Sequence, residues 1–128
     1  MAGLQAPSPE LQALLEEVIR VSRGSIEVAI VSKPDGTPVA HVNASSVGPE
    51  YLGAAISAIS GVVSAILEVM HVGDYRRIVV ELNEKRYLFI IQHRGDVVAL
   101  ITRLNPNLGF INLLLDLYFK EEESIDKL

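Results

Sequence analysis

The stretch PEYLGAAISAISGVVSAILEVM, residues 49–70, decides the fold. Pro49-Glu50 reads as a helix opening, with proline at the first helical position and an acid near the positive helix end. At about 100° per residue, Leu52, Ala55, Ile56, Ile59, Val63, Ile66, Leu67 and Met70 share one face, and this pattern predicts that they form the core side. A flank beside them carries Ala54, Ala58, Val62, Ala65 and Val69, and the far side carries Gly53, Ser57, Gly61 and Ser64, with Ser60 near its edge. A surface helix puts Lys, Glu or Arg on its far side, yet no charge occurs over residues 51–67. Gly53 and Gly61 each cost a helix about 1 kcal/mol relative to alanine, so something other than helix propensity selects small residues there. The expectation is a helix covered twice, by its own sheet and by a second protein surface, because a chain of 128 residues has little material to surround it alone.

On either side of this helix the punctuation is regular. Upstream, Ser8-Pro9-Glu10 opens a helix whose Leu11, Leu14, Leu15, Val18 and Ile19 recur at helical spacing and which Gly24 ends. Residues 25–32 are rich in β-branched side chains, Lys33-Pro34-Asp35-Gly36 is a turn, and 37–43 complete a hairpin. Downstream, Gly73-Asp74 leads into three strands over 75–82, 86–93 and 97–103, joined by short polar connections that suit antiparallel hairpins. Asn105-Pro106-Asn107 breaks the last strand, and Phe110, Ile111, Leu114, Leu115, Tyr118 and Phe119 form a final helical stripe. The reading is one α+β domain over 8–120 in the order α-β-β-α-β-β-β-α, with a five-stranded antiparallel sheet and helices on both faces. Residues 121–128, with Glu121, Glu122, Glu123 and Asp126, read as a solvated acidic tail.

Composition removes several function classes. The net charge of −5 and pI of about 5.1, with arginines scattered in ones and twos, argue against nucleic acid. No cysteine is present, which removes disulfides, thiolate metal sites and thiol nucleophiles. Residues 1–9 carry no basic region followed by an apolar run, and the uncharged stretch 51–67 is shorter than the roughly 20 apolar residues of a spanning helix, so a cytoplasmic protein without a membrane span is expected. Apolar residues make up 49 % of the chain and the mean hydropathy is +0.32, high enough that apolar surface should remain for a partner.

The chain is poor in chemistry. His41, His71 and His93 lack metal-ligand spacing, and no nucleophile elbow, phosphate loop or dinucleotide fingerprint occurs. The expectation is a protein that is not an enzyme and holds no cofactor or metal. Asn43-Ala44-Ser45 and Arg94-Gly95-Asp96 match a glycosylation acceptor and an adhesion tripeptide, but polar loop and hairpin-turn roles account for both.

The pattern resembles the roadblock domains first named for dynein light chains. The resemblance rests on the apolar helix 11–19, on Val28-Ala29-Ile30-Val31-Ser32 through Asp35-Gly36-Thr37-Pro38-Val39-Ala40, on the Ala/Ser/Gly-rich helix from Leu52, and on Asn107-Leu108-Gly109 followed by Ile111 and Leu114. It implies a profilin-like roadblock (LC7) fold, with the central helix on one face of the sheet and the terminal helices on the other. It further implies a homodimer joined through edge strands and central helices, and a role beside a Ras-like small GTPase in the manner of minimal prokaryotic members. The family shares no catalytic residues. On this reading Ala54, Ala58, Val62, Ala65, Val69, Ile78, Val79 and Val80 are candidates for the dimer interface, and Gly53, Ser57, Ser60, Gly61 and Ser64 for contact with the GTPase. The alternative is a ligand-sensing domain holding a small metabolite between helix and sheet, for which Glu27, His41 and His93 are the polar candidates in strands.

Overall fold

The computed structural model describes residues 8–119, so the acidic tail 121–128 and the expected domain end at 120 lie outside the described residues. The elements run α1 (Pro9–Ser22), β1 (Ile26–Ser32), β2 (Pro38–Val42), α2 (Pro49–Met70), β3 (Ile78–Leu82), β4 (Arg86–His93), β5 (Asp96–Thr102) and α3 (Leu108–Tyr118), in the expected order. All five strands pair antiparallel in one sheet of order β2-β1-β5-β4-β3.

Local chemistry accounts for the boundaries. The Ser8 hydroxyl accepts from the Leu11 N–H at 3.2 Å, with Pro9 at the first helical position. Arg23 takes the left-handed cap of α1 at φ 53° and Gly24 follows it. In the β1–β2 turn, Asp35 accepts from the Thr37 N–H at 2.9 Å, which holds its carboxyl below the usual carboxylate range. Asn107 caps α3 by accepting from the Phe110 N–H at 3.1 Å.

The sheet divides the core in two. Ala29, Leu100, Phe89 and Val79 lie side by side across four strands on the face that α1 and α3 cover. Ile30, Ala99, Ile90 and Ile78 form the neighbouring row on the α2 face. Leu15, Val18, Ile111, Leu114 and Leu115 close the first core, and Ile56, with Leu52 and Ile59 partly buried, closes the second. The α2 core is the smaller of the two.

The third strand begins later than the sequence suggests, at Ile78 rather than residue 75. The residues before it are spent on other elements. Asp74 and Tyr75 bond to α2, and Arg77 reaches over to Asn112 and Asp116 of α3, so pairing with β4 starts only beyond them.

The two glycines of α2 sit in opposite surroundings. A Cβ on Gly53 would stand 2.7 Å from the Gly36 carbonyl oxygen, whereas one on Gly61 would meet nothing within 4 Å. Gly53→Val should therefore destabilise the fold by about 2 kcal/mol through overpacking against backbone. Gly61→Ala should stabilise it by roughly 0.5–1 kcal/mol through helix propensity. Urea unfolding midpoints of the two variants check this opposition of sign.

Candidate interaction surface

The surface is built on α2, and the structure turns that helix differently from the sequence pattern. Its buried residues are Gly53, Ile56, Ser57 and Ser60, and full burial stops at Ser60. The expectation that Gly53, Ser57 and Ser60 face outward toward a partner is thus corrected: they face the chain's own sheet, while Gly61 is exposed and Ser64 half-buried at the margin. Conversely Ala55, Ile66 and Met70, expected in the core, are exposed. The helix is rotated by roughly a quarter-turn from the position that hydrophobic periodicity alone selects.

Hydrogen bonds supply the physical reason. The Ser57 hydroxyl donates to the Lys33 carbonyl at 2.8 Å and lies 2.7 Å from the Ser32 hydroxyl. Ser60 pairs with the Tyr75 hydroxyl at 2.8 Å, and Ser64 donates to Asp74 at 2.8 Å. Asp74 also accepts from its neighbour's N–H at 2.8 Å and from the Gln92 amide at 2.9 Å. Beside these groups, Gly53 allows α2 to touch the β1–β2 turn. Small polar side chains at this face are therefore a seam to the sheet rather than a bare exterior.

Between its two exposed acids, Glu50 and Glu68, α2 shows solvent an uncharged surface that is larger than expected. The candidate residues Ala54, Ala58, Val62, Ala65 and Val69 are all exposed, together with Tyr51 and Ile66. Val62 is 59 % and Val69 79 % accessible, which a lone soluble helix rarely tolerates in a continuous row. With 22 residues, α2 also reaches the length of a bilayer span, and it is the one such helix among the described residues. Its inner face, however, is bonded to the sheet of its own domain.

The two sheet edges differ in kind. At β2, the Gln12 side chain accepts from the His41 N–H at 3.1 Å and donates to the His41 carbonyl at 2.9 Å, and the Ser8 N–H donates to the Val39 carbonyl at 2.9 Å. That edge is sealed by α1. The other edge, β3, pairs only with β4. Ile78 and Val80 lie half-buried on the α2 face, and Val79 points to the opposite face at 51 % exposure. β3 carries one charge, the exposed Glu81, and no proline, and its apolar Ile78–Val80 stretch is left as a template for another strand.

Nothing gathers Glu27, His41 and His93 into one site. Glu27 is exposed and ion-paired with Arg86 at 3.0 Å, and the His93 ring stands edge-on to Phe119 at 5.4 Å beneath the terminal helices. His41 is on β2, with its Nδ1 buried and without a hydrogen-bond partner. The cleft between α2 and the sheet, lined by Ser57, Ser60, Ser64, Gln92 and Asp96, measures about 210 Å³ and includes none of the three, whereas a cavity of about 380 Å³ on the other face, between Leu11 and Leu14 of α1, Tyr118 and the β4–β5 turn, is lined by His93 but by neither Glu27 nor His41. Small-molecule pockets run to roughly 300–1,000 Å³. No group of three His, Asp or Glu able to hold a metal occurs among the described residues.

No family model matches the sequence, and no curated protein is similar to it in sequence. Solved structures are similar in fold. Myxococcus xanthus MglB superposes with a TM-score of 0.78 at 12 % identity, covering 93 % of this chain and 96 % of that one. A Roadblock/LC7 domain from Streptomyces avermitilis gives 0.75 at 16 % identity, over 91 % and 98 %. The gliding protein MglB from Thermus thermophilus gives 0.72 at 13 % identity, over 90 % of each chain. The architecture is that of the roadblock/LC7 fold.

Asp74 ties the free half of α2 to β4, and its titration reports on that tie. Partial burial works to raise its pKa, but the bonds from Gln92, Ser64 and the Tyr75 N–H outweigh burial and hold the carboxyl below the usual range. A pKa depressed by folding adds stability that is complete above the unfolded value of about 4 and lost as pH falls through the folded value. The stability gap between the unsubstituted chain and Asp74→Asn should accordingly narrow on going from pH 7 to pH 3, as read from urea unfolding at each pH.

Proposed function

We propose that this chain, carrying the roadblock/LC7 fold, is a non-catalytic homodimeric interaction module that binds and regulates or scaffolds a Ras-like small GTPase in the cytoplasm. The observation that carries the reading is the uncharged outer face of α2 lying in the same molecule as an open β3 edge. A second copy joined edge to edge at β3 extends the sheet and sets the two α2 helices side by side. Ala54, Ala58, Val62, Ala65 and Val69 then meet their counterparts, and the β3 backbone from Ile78 to Val80 forms the seam. Among the structures of similar fold, one MglB is described with a tetrameric arrangement, at a TM-score of 0.70, which supports self-association as a property this fold can host.

The GTPase is assigned to the exposed ridge that the paired helices offer, with Gly61 and Ser64 at its margin. The family resemblance supports this partner class, and the uncharged ridge supports action by docking: it offers no arginine to insert beside a nucleotide. Regulation then acts through the shape of the GTPase rather than through a catalytic side chain from this protein.

The reading is tested at two points of the seam. Ala58→Arg and Val79→Asp each place a charge where a dimer must exclude water, at a cost of several kcal/mol to association. Both positions are exposed in the single chain, so both variants should stay folded by circular dichroism. Sedimentation equilibrium should give twice 13.9 kDa for the unsubstituted protein and 13.9 kDa for each variant. Pull-down of the cognate GTPase should fall with Ala58→Arg. An unsubstituted protein that stays monomeric at high concentration sinks the proposal, and a fully dimeric Ala58→Arg sinks the helix pairing.

A further inference from the structure

The hydrophobic pattern of α2 prefers one rotation and the structure adopts another. Leu52, Ile59 and Val63 are already half-buried in the observed rotation, and turning Ala55, Ile66 and Met70 inward as well would bury larger apolar side chains than Gly53, Ser57 and Ser60 do. Some interaction must offset that forgone burial. The contact between Gly53 and Gly36 fixes only the first turn. Farther along, each hydroxyl is bonded to a different part of the chain: Ser57 to Ser32 and the Lys33 carbonyl, Ser60 to Tyr75, and Ser64 to Asp74, which Gln92 of β4 holds in turn. A quarter-turn of the helix breaks all of them together and leaves the Ser32 hydroxyl with only the Lys33 carbonyl at 3.3 Å and the Tyr75 hydroxyl with Gln92.

We propose that Ser57, Ser60 and Ser64, with Tyr75 and Asp74, form a rotation lock that holds Ala58, Val62, Ala65 and Val69 outward for a second copy of the chain. Unlocked, the same helix turns its larger side chains onto its own sheet and withdraws the docking face. These five are positioning residues, and they act on association without touching the partner. Ser57 and its partner Ser32 are buried, whereas Ser64 and Asp74 lie toward solvent, so the lock opens from the C-terminal half of the helix. The inference rests on the homodimer reading for its consequence but not for its mechanism.

The absence of cysteine makes the rotation directly measurable. Ala55 is exposed in the locked helix and belongs to the inward face of the alternative rotation, so Ala55→Cys supplies a single reporter thiol. Into that background go Tyr75→Phe and Ser64→Ala, which delete two of the bonds while leaving the Tyr75 ring in place. Thiol labelling, measured at a dilution where the protein is monomeric, should slow severalfold, and the dimer dissociation constant from sedimentation equilibrium should rise about tenfold. Unchanged labelling in a folded variant overturns the lock, even if the dimer weakens. Slowed labelling with an unchanged dissociation constant overturns its link to association. Should the unsubstituted chain never dimerise, the homodimer reading fails by itself and labelling still decides the lock. Tyr75→Phe alone serves if the double substitution does not fold.

Discussion

A buried hydroxyl without a partner costs about 1–3 kcal/mol, and in this molecule that penalty governs which way a 22-residue helix faces. Ser57 and Ser60 are more than nine-tenths buried and both are bonded, to groups that come from β1, from the β1–β2 turn and from the segment before β3. Three parts of the chain must therefore be in place before α2 can settle. The requirement links the helix to the sheet at points that apolar packing alone would leave free to slide. It also dictates the exterior, because every small polar residue committed to the seam leaves an Ala, Val or Ile on the other side.

The elements themselves were legible. Caps at Ser8 and Asn107, the Lys33–Gly36 turn and the short polar connections mark where helices and strands begin and end, and each relies on residues adjacent in the chain. The rotation of α2 was not legible for the opposite reason. Of its determinants, Ser32 and Gln92 lie far from it in sequence and Asp74 and Tyr75 sit in the segment just beyond it that reads as a turn into a strand, and hydrophobic periodicity assumes that a helix has one buried face. A helix with no charge on any side over 51–67 has two faces to hide, and periodicity does not say which belongs to its own sheet. The late start of β3 has the same origin, since Asp74, Tyr75 and Arg77 are drawn to α2 and α3. One signal was available: three serines at positions 57, 60 and 64, spaced to line a single helix face, are too costly a choice for an uncharged exterior and fit better as a bonded seam.

The free surface is not spread evenly over the molecule. Gln12 and Ser8 satisfy the outer backbone of β2, so growth of the sheet on that side is blocked by the protein's own first helix. Only β3 is left open, and β3 is the strand that α2 leads into. Full burial along α2 ends at Ser60, and beyond it only Val63, Ser64 and Leu67 are half-buried, so the half of the helix nearest that connection is the half its own sheet covers least. Two needs, a strand partner and an apolar cover, thus fall on one side of the domain.

A two-fold axis beside β3 meets both needs with a single operation. It pairs one open edge with its copy, and since the faces of the sheet are preserved by a rotation about an axis normal to it, each less-covered half-helix arrives next to the other on the same face. A partner strand from an unrelated protein would satisfy the edge but would have to bring its own apolar cover in register. A partner helix alone would leave the β3 backbone open to water. The coupling of the two deficits, rather than either one separately, is what makes a second copy of this chain the economical solution, and the sealed β2 edge stops the assembly from continuing into a fibre.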